Sequence, residues 1–163
     1  MTPDVMILAA GFGTRMGALT ADRPKPLIPV AGRALLDHAI TAARAGGGQI
    51  AVNAHYRADQ IAAHLATHHP DIALSVEAPA ILDSGGGIKR ALPHLRSDPI
   101  ATLNADAVWA GPAPLSVLTQ AWDGARMGAL VLLVPRARAT GRQGGGDFTP
   151  DPQGRLSWDR ADT

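Results

Sequence analysis

The sequence predicts an α/β fold, a three-layer sandwich in which helices cover both faces of a mainly parallel sheet. Two observations point to it. Short apolar runs alternate with segments of helical periodicity along most of the chain, the pattern of βα units. The first run, Val-Met-Ile-Leu at Val5–Leu8, is apolar throughout and ends in small residues, as a strand buried on both faces should be. A length of 163 residues is a soft prior for one domain with one core. Residues 1–163 are therefore expected to form a single domain.

The elements follow in order. After the first strand comes a glycine-rich turn, Gly11-Phe12-Gly13-Thr14-Arg15-Met16. Over residues 19–30, Pro24, Pro26 and Pro29 exclude a helix and impose an extended, stiff path. Residues 33–44 carry Leu35, Leu36, Ala39, Ile40 and Ala43 on one helical face, and Gly46-Gly47-Gly48 ends that helix. Residues 49–54 form a second strand. Residues 58–69 form a helix with Ile61, Ala62 and Leu65 inward and Pro70 as its stop. A third strand spans 72–76, and residues 80–84 form a loop. Gly85-Gly86-Gly87 then opens a helix that runs through Ile88, Ala91 and Leu92 to Pro93. A fourth strand, 99–103, leads into Asn104-Ala105-Asp106, and residues 115–123 are helical. Residues 128–134, GALVLLV, have the composition of a further buried strand. Beyond Pro135 the chain is basic and glycine-rich, and residues 148–158 are expected to form a hairpin turning at 151–154. The sequence stops at Thr163, just past that hairpin, and an incomplete C-terminus is expected.

Bulk properties exclude several classes. Fifteen basic and fourteen acidic residues give a net charge of +1, with no basic stripe to mark a nucleic-acid binder. No apolar run reaches membrane-spanning length, and the first is too short for a signal peptide. The chain has no cysteine, which excludes disulfides, thiolate metal sites and a cysteine nucleophile. That fits a reducing cytoplasm, though a chain without cysteine folds anywhere. Oligomeric state is not legible.

The candidate chemistry gathers where strands end. The turn after the first strand lies at a carboxyl end, where open α/β sheets bind ligands. Ala9, Ala10, Gly11 and Gly13 keep the backbone bare, so a base or phosphate can approach its N–H groups. Thr14 adds a hydroxyl and Arg15 a cationic fork. The competing reading is a turn that only links two elements. Lys25, held between prolines, is suited to placing a point charge on a phosphate. Asp106 follows a strand at the same edge, and is either a hard-cation ligand or a cap for the next turn. Asp83-Ser84-Gly85 either holds an anion or the edge of a base, or is a flexible helix start. Asn53, His55 and Tyr56 are substrate contacts or ordinary loop formers. Gly144-Gly145-Gly146 with Asp147 and Phe148 either closes over substrate or is simply a loop. His64 and His68 share one helix face, opposite Ile61 and Leu65, so a solvated face is expected there ahead of a metal site.

Four blocks, LAAGFGTRMG, PKPLIPVAGRALLDHAI, LDSGGGIKRAL and NADAVW, together resemble the sugar-phosphate nucleotidyltransferases. The likeness runs over residues 5–109 and more loosely to 158. The triple glycine after Asp83-Ser84 and the GGGDF stretch look most like the N-acetylmuramate 1-phosphate uridylyltransferase branch of peptidoglycan recycling. Mannose-1-phosphate guanylyltransferases and glucose-1-phosphate thymidylyltransferases are similar as well. Ala105-Asp106 stands where relatives often have Gly-Asp, and Asp83-Ser84 where Glu-Thr is common in that branch.

The resemblance implies a Rossmann-like nucleotide-diphospho-sugar transferase fold and a Mg²⁺-dependent cytoplasmic enzyme. Its partners would be a nucleoside triphosphate, UTP in that branch, and a sugar 1-phosphate, with no nucleic acid or membrane. It implies that Leu8, Ala9, Ala10 and Gly11 hold base and ribose. Gly13, Thr14 and Arg15 would hold the triphosphate, Lys25 would bridge the phosphates, Ser84 and Gly85 would touch the base edge, and Asp106 would bind Mg²⁺. Arg15 and Lys25 would be the catalytic cations; from the residues themselves, Asn53, Gly145 and Asp147 are expected as substrate contacts. A non-catalytic nucleotide-binding module is the alternative from another class.

Overall fold

The computed structural model describes residues 2–141 and 146–157. The chain divides into two compact units, Met1–Leu130 and Val131–Thr163. In chain order the first holds β1 (Val5–Leu8), β2 (Pro29–Val30), β3 (Arg33–Ala34), α1 (Leu35–Arg44), β4 (Ile50–Ala54), α2 (Ala58–His68), β5 (Ala73–Val76), α3 (Asp83–Ala91), β6 (Ala101–Asn104) and α4 (Pro114–Ala121). The second holds β7 (Thr149–Pro150) and β8 (Leu156–Ser157).

The predicted sheet forms. Its order is β5-β4-β1-β6, and every pairing is parallel. Four strands therefore present their carboxyl ends along one edge. Alternate side chains go to opposite faces, and both faces are dry. Val5, Ile7, Ile50, Val52 and Leu103 pack with Leu36, Ala39 and Ile40 of α1, Ile61 and Leu65 of α2, and Leu115 of α4. Met6 and Ala51, from the other face, pack with Ala91 of α3 and with Leu95. Burial on both sides is why these strands are continuous apolar runs. Among the described residues no helix is long and apolar enough to cross a membrane.

Several expectations need correction. The helix expected from residue 33 starts at Leu35, because Arg33–Ala34 pairs with Pro29–Val30. The turn between them, Ala31-Gly32, has φ of +50° and +78°, the left-handed pair that a two-residue hairpin requires. The proline segment is not extended throughout, since Lys25–Leu27 makes one 3₁₀ turn, and proline is compatible with the first turn of a helix. α3 starts at Asp83, ahead of the three glycines. Residues 128–134 form no strand, and Val131, Leu132, Leu133 and Val134 are all exposed. Hydrophobicity alone does not make a strand, which also needs a ladder partner. The predicted hairpin is present as β7–β8. Asp151 Oδ1 accepts from the Gln153 and Arg155 N–H groups to close its turn, and Trp158 lies outside the described residues.

At the amino edge of the sheet, one buried carboxylate closes the ends. Asp4 accepts from the backbone N–H groups of Gln49, Arg96 and Ser97 at 2.8, 2.6 and 3.1 Å. It thereby ties the start of β1 to the entries of β4 and β6. A Cβ on Gly48 would collide with its Oδ1. Burial pushes the Asp4 carboxyl up, but the three N–H donors and the Arg96 charge outweigh that and hold it below its ordinary value of 3.8. Asp4→Ala strands three donors, so we expect a loss of about 3 kcal/mol at pH 7 in urea unfolding. Because the folded-state pKa is depressed, this contribution is complete well above pH 3.8 and fades as pH falls through the folded value. The gap between wild type and variant should therefore close in strong acid.

Candidate active site

The carboxyl ends of β1, β4, β5 and β6 converge on the glycine-rich turn. β1 and β6 pair in register up to Leu8 opposite Asn104, and Ala105 N extends the ladder by donating to Leu8 O at 3.1 Å. Asp106 is the next residue, so the ladder itself delivers its carboxylate to the turn. Lys25 Nζ meets it there, donating to Asp106 Oδ2 at 2.5 Å. The pair is 81 residues apart in sequence and part-exposed.

Gly13 lets Lys25 come so close. Its φ is +66°, in the left-handed region that β-carbons disfavour. A Cβ there would lie 3.0 Å from Lys25 Cβ and 3.1 Å from Thr20 Cγ2. Its carbonyl accepts from Met16 N and Thr20 Oγ1. The following 3₁₀ stretch, Thr14–Thr20, is held from outside by the start of α2. Tyr56 Oη donates to Thr20 O, an Arg57 guanidinium nitrogen to Ala21 O, and Gln60 Nε2 to Asp22 O. Phe12 stands edge-on to His55 with ring centres 5.4 Å apart. Thr14 and Arg15 are exposed, and no partner is found for the Arg15 guanidinium among the described residues.

Beside the turn, a cleft of about 140 Å³ is lined by Leu8, Ala10, Gly11, Asn53, Glu77, Ile81, Asp83 and Ser84. That volume holds one planar ring system and not a whole nucleotide, given the several hundred Å³ usual for larger ligands. Two glycines border this region with bare faces: a Cβ on Gly11 or on Gly85 would meet nothing within 4 Å. A larger groove of about 710 Å³ lies at the opposite edge, by Asp4, Gly48 and Ile50. The smaller cleft is the candidate site, because ligands of open α/β sheets bind at carboxyl ends and Gly11 of the glycine-rich turn lines it.

The cleft wall is a buried polar strut that the sequence reading missed. Asn53 Oδ1 accepts from Ala9 N at 2.7 Å, and Asn53 Nδ2 donates to Glu77 Oε1 at 2.7 Å. Glu77 Oε2 accepts from Leu82 N at 2.7 Å. Both ends of the Asn53 amide are therefore engaged inside the protein, as is the Ala9 N–H. Glu77 is 1% exposed. Its position directly after the β5 run, at the functional edge, was the available signal. Asp83 does not cap α3 through its side chain; its Oδ1 accepts from Ser84 N.

Among the other expected residues, Leu8, Ala10, Gly11, Gly13, Arg15, Lys25, Ser84, Gly85 and Asp106 all belong to this unit. Gly145 lies outside the described residues, and Asp147 belongs to the second unit. Asp106 is not part of a cluster of three ligating side chains among the described residues. One exposed carboxylate fits a Mg²⁺ ion whose remaining ligands are phosphate oxygens and water. The histidine expectation is corrected: His64 is part-buried and shares Asp37 with His69, while His68 is exposed.

Glu77 acts only as an acceptor here. Glu77→Gln would turn one of its oxygens into a donor facing Asn53 Nδ2 or Leu82 N. We expect a loss of about 2 kcal/mol in chemical denaturation. An unchanged midpoint and slope would show that the strut does not bear on the fold.

Residues 5–141 match the MobA-like NTP transferase domain. The chain is 41% identical over 150 residues to an N-acetylmuramate alpha-1-phosphate uridylyltransferase of Caulobacter vibrioides, covering 87% of this chain and 62% of the relative. It is 39% identical over 107 residues to the enzyme of the same name from Neisseria meningitidis serogroup B, covering 63% and 46%. Among solved structures, HddC from Yersinia pseudotuberculosis complexed with GMP-PN superposes with a TM-score of 0.57 at 28% identity, over 64% of this chain and 48% of that one. This chain thus spans roughly half to three-fifths of the length of these relatives. With its four-stranded parallel sheet, the chain belongs to the MobA-like NTP transferase family and has the nucleotide-diphospho-sugar transferase fold.

Proposed function

We propose that this chain carries the nucleotide half of an enzyme that transfers a nucleotidyl group from a nucleoside triphosphate to a sugar 1-phosphate, releasing pyrophosphate. The carrying observation is the meeting of Lys25 and Asp106 beside the Gly11–Arg15 turn. The likeness to two N-acetylmuramate alpha-1-phosphate uridylyltransferases supports UTP and N-acetylmuramate 1-phosphate as substrates, and a cytoplasmic role in peptidoglycan recycling.

In this reading the cleft by Leu8, Ala10, Gly11 and Ser84 takes the base. The Asn53 strut fixes the Ala9 backbone, and so positions the turn without touching substrate. Gly13, Thr14 and Arg15 take the triphosphate, with the exposed Arg15 fork on its outer phosphates. Asp106 would hold Mg²⁺, which when bound offsets phosphate charge. An oxygen of the sugar phosphate attacks the α-phosphorus, the bond from that phosphorus to the bridging oxygen breaks, and pyrophosphate leaves. The attacking phosphate is already anionic, so no general base is needed. Catalysis is positioning plus charge stabilisation by Lys25 and Arg15.

The test is pyrophosphate release from a panel of nucleoside triphosphates and sugar 1-phosphates with Mg²⁺. Release that requires both substrates, with UTP preferred, supports the proposal. Triphosphate binding without release under any pairing identifies a non-catalytic binding module instead. Lys25→Ala should lower kcat by about 10²- to 10³-fold, the usual scale for one preorganised donor, with KM for the triphosphate changed only a few-fold. Equal losses in both would assign Lys25 to ground-state binding.

A further inference from the structure

Outside the loop residues lies a second concentration of ligating groups. Asp37 projects from the first turn of α1. Its Oδ1 lies 2.7 Å from His64 Nε2 and 3.0 Å from His69 Nε2. The three ligating atoms all fall within 4.8 Å of one another, and each side chain is less than one-fifth exposed.

The backbone fixes every member. Asp37 and His64 sit within helices. His69 ends α2 with φ −145° and ψ 58°, which departs from the helical path. Its N–H donates to Leu65 O, and its carbonyl accepts from Ile72 N. That departure sets the His69 ring beside Asp37, while His68, still helical, stays exposed.

We propose that Asp37, His64 and His69 form a binding site for a borderline divalent transition metal of the zinc class. Two imidazole nitrogens and one carboxylate oxygen around a common point are the donor set such ions take, with a fourth position left to water. Hard ions such as Mg²⁺ and Ca²⁺ prefer all-oxygen sets. Ligands at about 2.0–2.2 Å in a tetrahedron are about 3.3–3.6 Å apart, so on binding the two Asp37 contacts of 2.7 and 3.0 Å would lengthen and the two imidazole nitrogens, no more than 4.8 Å apart, would settle at a similar spacing.

Both rings turn Nε2 toward the same Asp37 oxygen, and His69 Nδ1 is left buried without a partner among the described residues. With no protein acceptor on His69 Nδ1 among the described residues, one outer-shell support is missing, which by itself lowers affinity about 10- to 100-fold. The ion would tie α1 to the end of α2, elements 27 and 32 residues apart at these contacts.

The test uses the tag-free, chelator-stripped chain titrated with Zn²⁺ against a chromophoric chelator, with melting followed in parallel. We expect one equivalent bound, a Tm that rises and saturates with zinc, and a visible absorption band when Co²⁺ replaces Zn²⁺. His64→Ala, His69→Ala and the isosteric Asp37→Asn should each weaken binding at least tenfold, and His68→Ala should leave it unchanged. If His69→Ala does not fold, Asp37→Asn and His64→Ala decide. Absence of stoichiometric binding to wild type overturns the proposal. So does loss in His68→Ala with retention in His69→Ala, which would assign the ion to the exposed i, i+4 pair.

Discussion

The amide of Asn53 bonds Ala9 N on one side and Glu77 Oε1 on the other, and the geometry of the carboxyl edge depends on that bridge. Ala9 is the point where β1 stops being a strand and becomes a loop. Buried backbone donors are costly when unpaired, and this one is satisfied from β4, whose parallel register with β1 is fixed by Val5 opposite Ile50. Glu77 carries the linkage on, since its second oxygen accepts from Leu82 N just before α3. One chain of hydrogen bonds thus sets the loop after β1, the end of β4, the exit of β5 and the entry to α3. A buried network of this kind rigidifies when every member is satisfied.

The glycines of α3 make sense against that strut. Glycine in a helix costs about 1 kcal/mol relative to alanine, so three in a row need a reason. A Cβ on Gly87 would collide with Glu77 Oε1 and come within 2.7 Å of Asn53 Nδ2, and one on Gly86 would come within 2.8 Å of Leu82 Cβ. Those two are required by packing. Gly85 is not, because its added Cβ would meet nothing within 4 Å. Its bare backbone has no such explanation, and neither has that of Gly11, which lines the cleft beside Ser84; the proposed nucleotide reading would give both a role, since bare backbone lets a flat ligand approach closely.

The sheet, its layers and the loop-borne cations were legible in the sequence because each is written locally. Apolar runs four or five residues long, helical stripes such as Leu36-Ala39-Ile40-Ala43, and glycine turns between them carry their own period. Asp106 was legible because it follows a strand that parallel pairing brings to the carboxyl edge, and Lys25 because Pro24 and Pro26 frame it. What was not legible depends on partners distant in sequence. Glu77 joins Asn53 across 24 residues, and neither residue type announces a strut. The run at 128–134 showed its hydrophobicity but not whether a neighbouring strand exists. His69 was read only as the last residue of the 58–69 helix, and only its departure from helical φ and ψ turns it toward Asp37.

The two edges of the sheet are finished in opposite ways, and that contrast is the strongest physical reason to place function at one of them. At the amino edge Asp4 absorbs three backbone donors in one carboxylate, and Gly48 is glycine so that this packing can close. Hydrogen-bonding capacity there is used up internally. At the carboxyl edge, the strut secures the loop from beneath while its outer surface is left unfinished. Arg15 points outward without a protein partner among the described residues. Among the described residues Lys25 is neutralised by Asp106 alone, in an ion pair exposed enough for solvent and incoming charge to compete with it. Gly11 and Gly85 carry no side chain where one would fit freely. The buried network fixes the backbone at Ala9 and Leu82, while the cations, the carboxylate and the bare backbone beside it add little stability of their own; that open arrangement is what the proposed reading, with an anionic, flat-ringed ligand completing it, explains.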